Sequence, residues 1–147
     1  MRSVLLVAVV LAACSSSHKS NDIPDGEARR LLLDRNWIDR MPETERDKLH
    51  IYRFVPSMGG GVFQDRTIFK GTFELFMFET NADEIRFNLP ETKQKVVSKF
   101  RIENVDGPKP FDLKLTIPAD PRGPQVYYGM RAETDRDGTR LERLLHK

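Results

Sequence analysis

Three segments of the chain alternate apolar and polar residues with a period of two. Ile85, Phe87 and Leu89 alternate with Glu84, Arg86 and Asn88, and Val96, Ser98, Phe100 and Ile102 with Val97, Lys99, Arg101 and Glu103. Phe111, Leu113, Leu115 and Ile117 alternate with Asp112, Lys114 and Thr116. Successive side chains of a strand point to opposite faces, so each segment predicts a strand with one buried and one wet face. Residues 49–55 (LHIYRFV), 62–69 (VFQDRTIF), 72–79 (TFELFMFE) and 126–132 (VYYGMRA) are less cleanly patterned candidates, and a short strand is expected at 37–41. Turn signals separate them: Gly59-Gly60-Gly61, Asn81-Ala82-Asp83, Asp106-Gly107-Pro108 and the proline-bearing loop 118–124. Helical spacing is confined to the ends, with Asp25 as a possible N-cap followed by Ala28, Leu31 and Leu32 through Arg35, and with Leu141, Leu144 and Leu145 in 140–146. About eight strands without long crossovers imply an all-β, antiparallel up-and-down sheet. Closing it into a barrel removes its edges. A β-sandwich, which uses the same strand signals, is the alternative.

The first stretch of the chain obeys a different pattern. After Arg2, residues 4–13 (VLLVAVVLAA) are apolar without interruption. A bilayer span needs about 20 such residues, so this run has the size of a signal-peptide core. It ends in Leu11-Ala12-Ala13-Cys14, which resembles the bacterial lipobox. That resemblance implies cleavage after Ala13 and a thioether-linked diacylglycerol on Cys14, the chain's one cysteine. The domain boundaries that follow are a signal peptide at 1–13, a lipidated flexible tether at 14–24 and a single β-barrel domain at 25–147. Residues 15–21 (SSSHKSN) have the polar composition of such a tether. Ser15 and Ser16 stand where enteric lipoproteins carry an acidic inner-membrane retention signal, which implies a cell-envelope protein on the outer membrane rather than the inner.

A short helix, a tryptophan opening the first strand, a run of short antiparallel strands and a terminal helix together resemble the lipocalin-like barrels of the calycin group. Asn36-Trp37 stands where that family usually has Gly-x-Trp, so Trp37 matches and the glycine does not. The resemblance implies that Trp37 closes one end of the barrel and that the mouth holds a small apolar ligand.

Charge and motifs narrow the chemistry. The 24 Lys and Arg are interspersed with 22 Asp and Glu for a net charge of +2. The most basic stretch, 136–143, is broken by Asp137 and Glu142, so no nucleic-acid partner is expected. With Cys14 acylated no thiol remains for redox or nucleophilic work. His18, His50 and His146 are scattered without zinc spacing. No Gly-x-Ser-x-Gly elbow or phosphate-cradling glycine loop is present. Glu133, Asp135, Asp137 and Gly138 mimic the opening of a calcium loop, but Leu144 occupies the place of its bidentate glutamate. The reading is a non-enzyme without cofactor or metal.

The aromatic residues carry more information. The chain has nine phenylalanines, with Phe73, Leu75 and Met77 on one face of 72–79 and Phe76 and Phe78 on the other. Residues 49–55 are also apolar on both faces, so something must cover these strands: the terminal helices, or a partner protein or lipid. Charged neighbours turn Phe87, Phe100 and Phe111 inward, and Phe73 and Tyr128 are the expected additions to a ligand-binding set. If all five fill the centre, binding moves to the outer surface around Phe76 and Phe78. Two functions remain: a membrane-anchored protein binding a small apolar ligand or lipid, and a protein-interaction or inhibitor module of the envelope with a filled core. The second resembles small barrel-shaped lipoproteins that block lytic enzymes or serve envelope assemblies.

Each buried CH₂ of an acyl chain contributes about 0.8 kcal/mol, so two or three chains hold a protein on a membrane almost permanently. Cys14→Ser is therefore expected to abolish membrane retention. Detergent partitioning of the variant checks this, and a variant that stays with membranes after a high-salt wash would refute Cys14 as the anchor.

Overall fold

A computed structural model describes residues 22–133 and 139–147. The expected signal peptide, Cys14, most of the tether, His18, Asp135, Asp137 and Gly138 lie outside the described residues.

Helix α1 (Asp25–Leu32) turns Ala28, Leu31 and Leu32 into the core. Pro24, not Asp25, occupies the N-cap, with no side-chain cap; Asp25 and Glu27 instead sit in the first turn, where a helix N-terminus favours carboxylates. The helix stops before Arg35 because Leu33 is extended and bridges Phe54, while Asp34 takes a left-handed φ of 59° and donates its N–H to the Phe54 carbonyl at 2.8 Å.

Nine strands follow: β1 (Asn36–Ile38), β2 (Leu49–Val55), β3 (Gly60–Arg66), β4 (Gly71–Thr80), β5 (Glu84–Leu89), β6 (Gln94–Lys99), β7 (Arg101–Asn104), β8 (Leu113–Thr116) and β9 (Val126–Gly129). Helix α2 (Thr139–Leu145) ends the chain. All pairings are antiparallel, in one sheet of order β6-β5-β4-β3-β2-β1-β9-β8-β7. This is the expected all-β meander, curled into a half-barrel, and a single sheet is not a sandwich.

Two expectations are corrected here. The segment read as one strand from Val96 to Glu103 is two strands that divide at Phe100: its N–H donates to the Asp83 carbonyl at 2.8 Å as the last bond in the β5–β6 register, and from Arg101 the chain pairs with β8 instead. Nor does the sheet close as a hydrogen-bonded ring: its edges are β6 and β7, which Phe100 alone separates in sequence. One bent segment thus supplies both edges, β6 pairing with β5 and β7 with β8. Inward burial runs through the bend, at Ser98, Phe100 and Ile102. Ser98 explains itself there: its hydroxyl donates to the Lys99 carbonyl and accepts the Ala119 N–H at 3.0 Å, stitching β6 to the loop after β8. On the other side, Ile23 N–H donates to the Ile102 carbonyl and protects part of the β7 edge.

Two hydrophobic clusters result. The larger fills the concave side and includes Leu31, Leu32, Trp37, Tyr52, Phe76 and Leu115. The smaller lies against the convex side of β1 and β2, where Leu141 and Leu145 of α2 meet Ile38, Leu49, Ile51 and Phe111. The C-terminal helix thus covers the second apolar face of β2, and no helix among the described residues covers that of β4.

Close packing constrains two glycines in opposite ways. A Cβ at Gly61 would stand 2.4 Å from the Phe76 ring, whereas one at Gly26 in α1 would meet nothing within 4 Å. Gly61→Val should cost about 3 kcal/mol by overpacking, and Gly26→Ala should stabilise by about 0.5 kcal/mol. Urea unfolding of the two variants measures both signs.

Candidate functional site

The concave side of the sheet is solid. Tyr52 lies at its centre, with ring centroids 4.8 Å from Phe63, 5.1 Å from Tyr127, 5.3 Å from Phe54, 5.6 Å from Phe76 and 6.1 Å from Phe87. Phe76 extends the cluster to Phe78 and Phe87. Trp37, cross-strand partner of Tyr52, closes the α1 side by donating its indole N–H to the Leu32 carbonyl at 3.0 Å. Gly129 opposite it leaves room for the indole, since a Cβ there would be 2.9 Å from the ring.

Of the five residues expected to surround a ligand, Phe87 and Phe100 are in this packed interior. Phe111 is buried in the second cluster instead, because β8 begins at Leu113 and the alternation inferred from 111 lapses outside the ladder. Tyr128 packs there too, 6.0 Å from Phe111, while its neighbour Tyr127 points inward. Phe73 is 72 % exposed on the convex face, and Phe76 and Phe78 point in, the reverse of expectation. The inward set that sequence reasoning missed is Tyr52, Phe54, Phe63, Phe76 and Tyr127. Gly61, opposite Phe76, was the signal of it, since a glycine opposite an aromatic marks where a ring needs room, whereas Glu74 on the same face pointed the other way and is accommodated by Arg122.

One end of the interior is latched by the loop 118–124. Asp120 accepts the Tyr52 hydroxyl at 2.9 Å and the Tyr127 hydroxyl at 2.5 Å, and also the backbone N–H groups of Arg122 and Gln125. Burial, and next the Asp120 carboxylate, push both phenols well above their ordinary range, so they remain neutral donors. Arg122 then lies over the Phe63 ring, 5.1 Å from its centroid, and pairs with Glu74 at 2.5 Å. His50 stacks on the same phenylalanine and meets Asp39 at 2.8 Å. These charged groups hold one another across that end, while Arg122 Nε and Nη2 are buried without a hydrogen-bond partner.

Among the described residues no group of three or more His, Cys, Asp or Glu is placed to hold an ion. Glu133, the first residue of the calcium-like stretch, is turned inward: the Asn36 amide donates to it at 2.6 Å, and burial pushes its carboxyl up.

The convex face is where the apolar surface collects. Phe73, Leu75 and Met77 project from β4, 72 %, 58 % and 49 % exposed. Val62 of β3 stands opposite Leu75. Shallow open grooves connect them: Phe69 and Phe73 share one, Met58, Leu75 and Met77 a second of about 160 Å³, and Met77 and Val97 a third of about 550 Å³ over β4, β5 and β6.

Because each orphaned buried donor costs roughly 1–3 kcal/mol, Asp120→Ala should destabilise by at least about 3 kcal/mol and Tyr127→Phe by about 1 kcal/mol. Denaturant midpoints give the comparison, and equal effects would show that the latch does not depend on the shared carboxylate. Comparison with protein-family models, with curated proteins and with solved structures finds no match to this chain.

Proposed function

We propose that the chain is a lipid-anchored protein of the bacterial envelope whose domain works through its outer surface as an interaction module, not as a carrier with a ligand in its lumen. The observation that carries this reading is the occupancy of the interior: Tyr52, Phe54, Phe76, Phe87 and Tyr127 fill the space a small apolar ligand would take. Eight-stranded barrels are just wide enough to be filled by side chains or to hold one small ligand, and here the side chains occupy the centre. The Asp120 latch supports the same reading, since two tyrosine hydroxyls hold the loop across one end and two backbone N–H groups of its own segment fix the carboxylate. The lipobox-like Leu11-Ala12-Ala13-Cys14 supports the anchor, and Ser15-Ser16 the outer membrane.

The discriminating measurement is titration of the chain from residue 14, carrying Cys14→Ser, with a fluorescent fatty acid while Trp37 emission is followed. Trp37 is fully buried beside Tyr52, so a lumenal ligand must disturb it. No saturable response is expected from folded, monodisperse protein. Saturable binding that Phe100→Asp weakens without unfolding the domain would return the function to the lumen.

A further inference from the structure

We infer that the convex band running over β3, β4, β5 and β6 is a membrane-docking face that lies on anionic phospholipid headgroups. Among the described residues, six large apolar side chains are exposed: Met58, Phe69, Phe73, Leu75, Met77 and Val97. All six line this one band through its three connected grooves. Exposed apolar side chains scattered singly need no explanation, whereas their collection on one face marks a surface that is covered in use.

Two observations select the bilayer as the cover. The first is charge: Lys70 and Lys95 line the grooves, with Arg66 and Arg86, whose charges are shared with Glu142 and Glu84, against one acidic residue in the lining, Glu79. Apolar side chains framed by basic ones are the composition of an interfacial face, whose binding combines buried apolar area with attraction to anionic lipid. The second is the leash, and here the inference rests on the proposed anchor at Cys14. Asp22, the first described residue, bridges Glu103 of β7. Seven residues lie between it and Cys14, so the link of eight Cα steps reaches at most about 28 Å. That is about the diameter of a small domain. A domain held so close must rest some face at the bilayer surface, and the lowest-energy choice is the one that already exposes phenylalanine, leucine and methionine. The residues between Cys14 and Asp22 are Ser, His, Lys and Asn, too polar to cover the band themselves.

The test uses the acyl-free chain from residue 14 with Cys14→Ser, so that the face is read without the anchor. Co-sedimentation is measured with vesicles of phosphatidylethanolamine and phosphatidylglycerol, and with phosphatidylcholine vesicles. Reversible, salt-sensitive binding to the anionic vesicles is expected. Phe73→Ser or Leu75→Ser should each weaken it roughly tenfold, and Lys70→Glu or Lys95→Glu roughly fivefold or more, with circular dichroism unchanged. Because these positions are exposed, the variants fold. Absence of vesicle binding, or binding indifferent to all four substitutions, overturns the inference. So does a concentration-dependent dimer that Leu75→Ser dissociates, which assigns the face to a second copy. Failure of the anchor reads out separately, as Cys14→Ser protein that resists a high-salt wash in cells, and failure of the filled-lumen reading as saturable fatty-acid binding.

Discussion

The packing of Tyr52 is the constraint on which the rest of the structure depends. Its ring touches five other aromatic rings contributed by β2, β3, β4, β5 and β9, and its hydroxyl ends on Asp120. Each such ring buries about 150–250 Å², which at about 25 cal/mol per Å² is about 4–6 kcal/mol of burial per ring. Strand registers follow from it. Shifting a strand by one residue would exchange its two faces, expelling Phe54 or Phe76 from the cluster and driving Arg53 or Leu75 into it.

On the proposed reading, the same packing moves function outward. The concave side is packed with buried aromatic side chains, and polar groups at its end pair with one another: Asp120 with two tyrosines, Arg122 with Glu74, His50 with Asp39. The convex side divides unevenly. Helix α2 is 7 residues long, which at 1.5 Å per residue spans about 10 Å, enough to cover β1 and β2 and no more. The outer face of β4 therefore keeps its apolar side chains in solvent, and the short leash of the proposed anchor places that face near a bilayer.

The clean strands were legible because charge breaks the symmetry between faces. Arg86 and Asn88 leave Phe87 only one face to bury, and Lys114 does the same for Leu113 and Leu115. In β4 both faces are apolar, so periodicity groups Phe73 with Leu75 and Met77 without saying which group is inside. Tyr127 and Tyr128 pose the same ambiguity in β9. The answer lies in neighbours distant in sequence: Gly61 opposite Phe76, Trp37 against Gly129, and Asp120 waiting for the Tyr127 hydroxyl.

By itself the sequence determined the all-β class, the antiparallel order, the terminal helices and a lipobox-like start, all of which are local patterns of period and composition. Only the tertiary structure decided that Phe100 divides one strand into both edges of the sheet, that the interior is filled and that β4 presents Phe73 to solvent. The physical reason is that a strand's alternation encodes burial relative to its own two faces. Which face becomes the inside depends on volumes and hydrogen-bond partners supplied by other strands, and these meet only when the sheet curls.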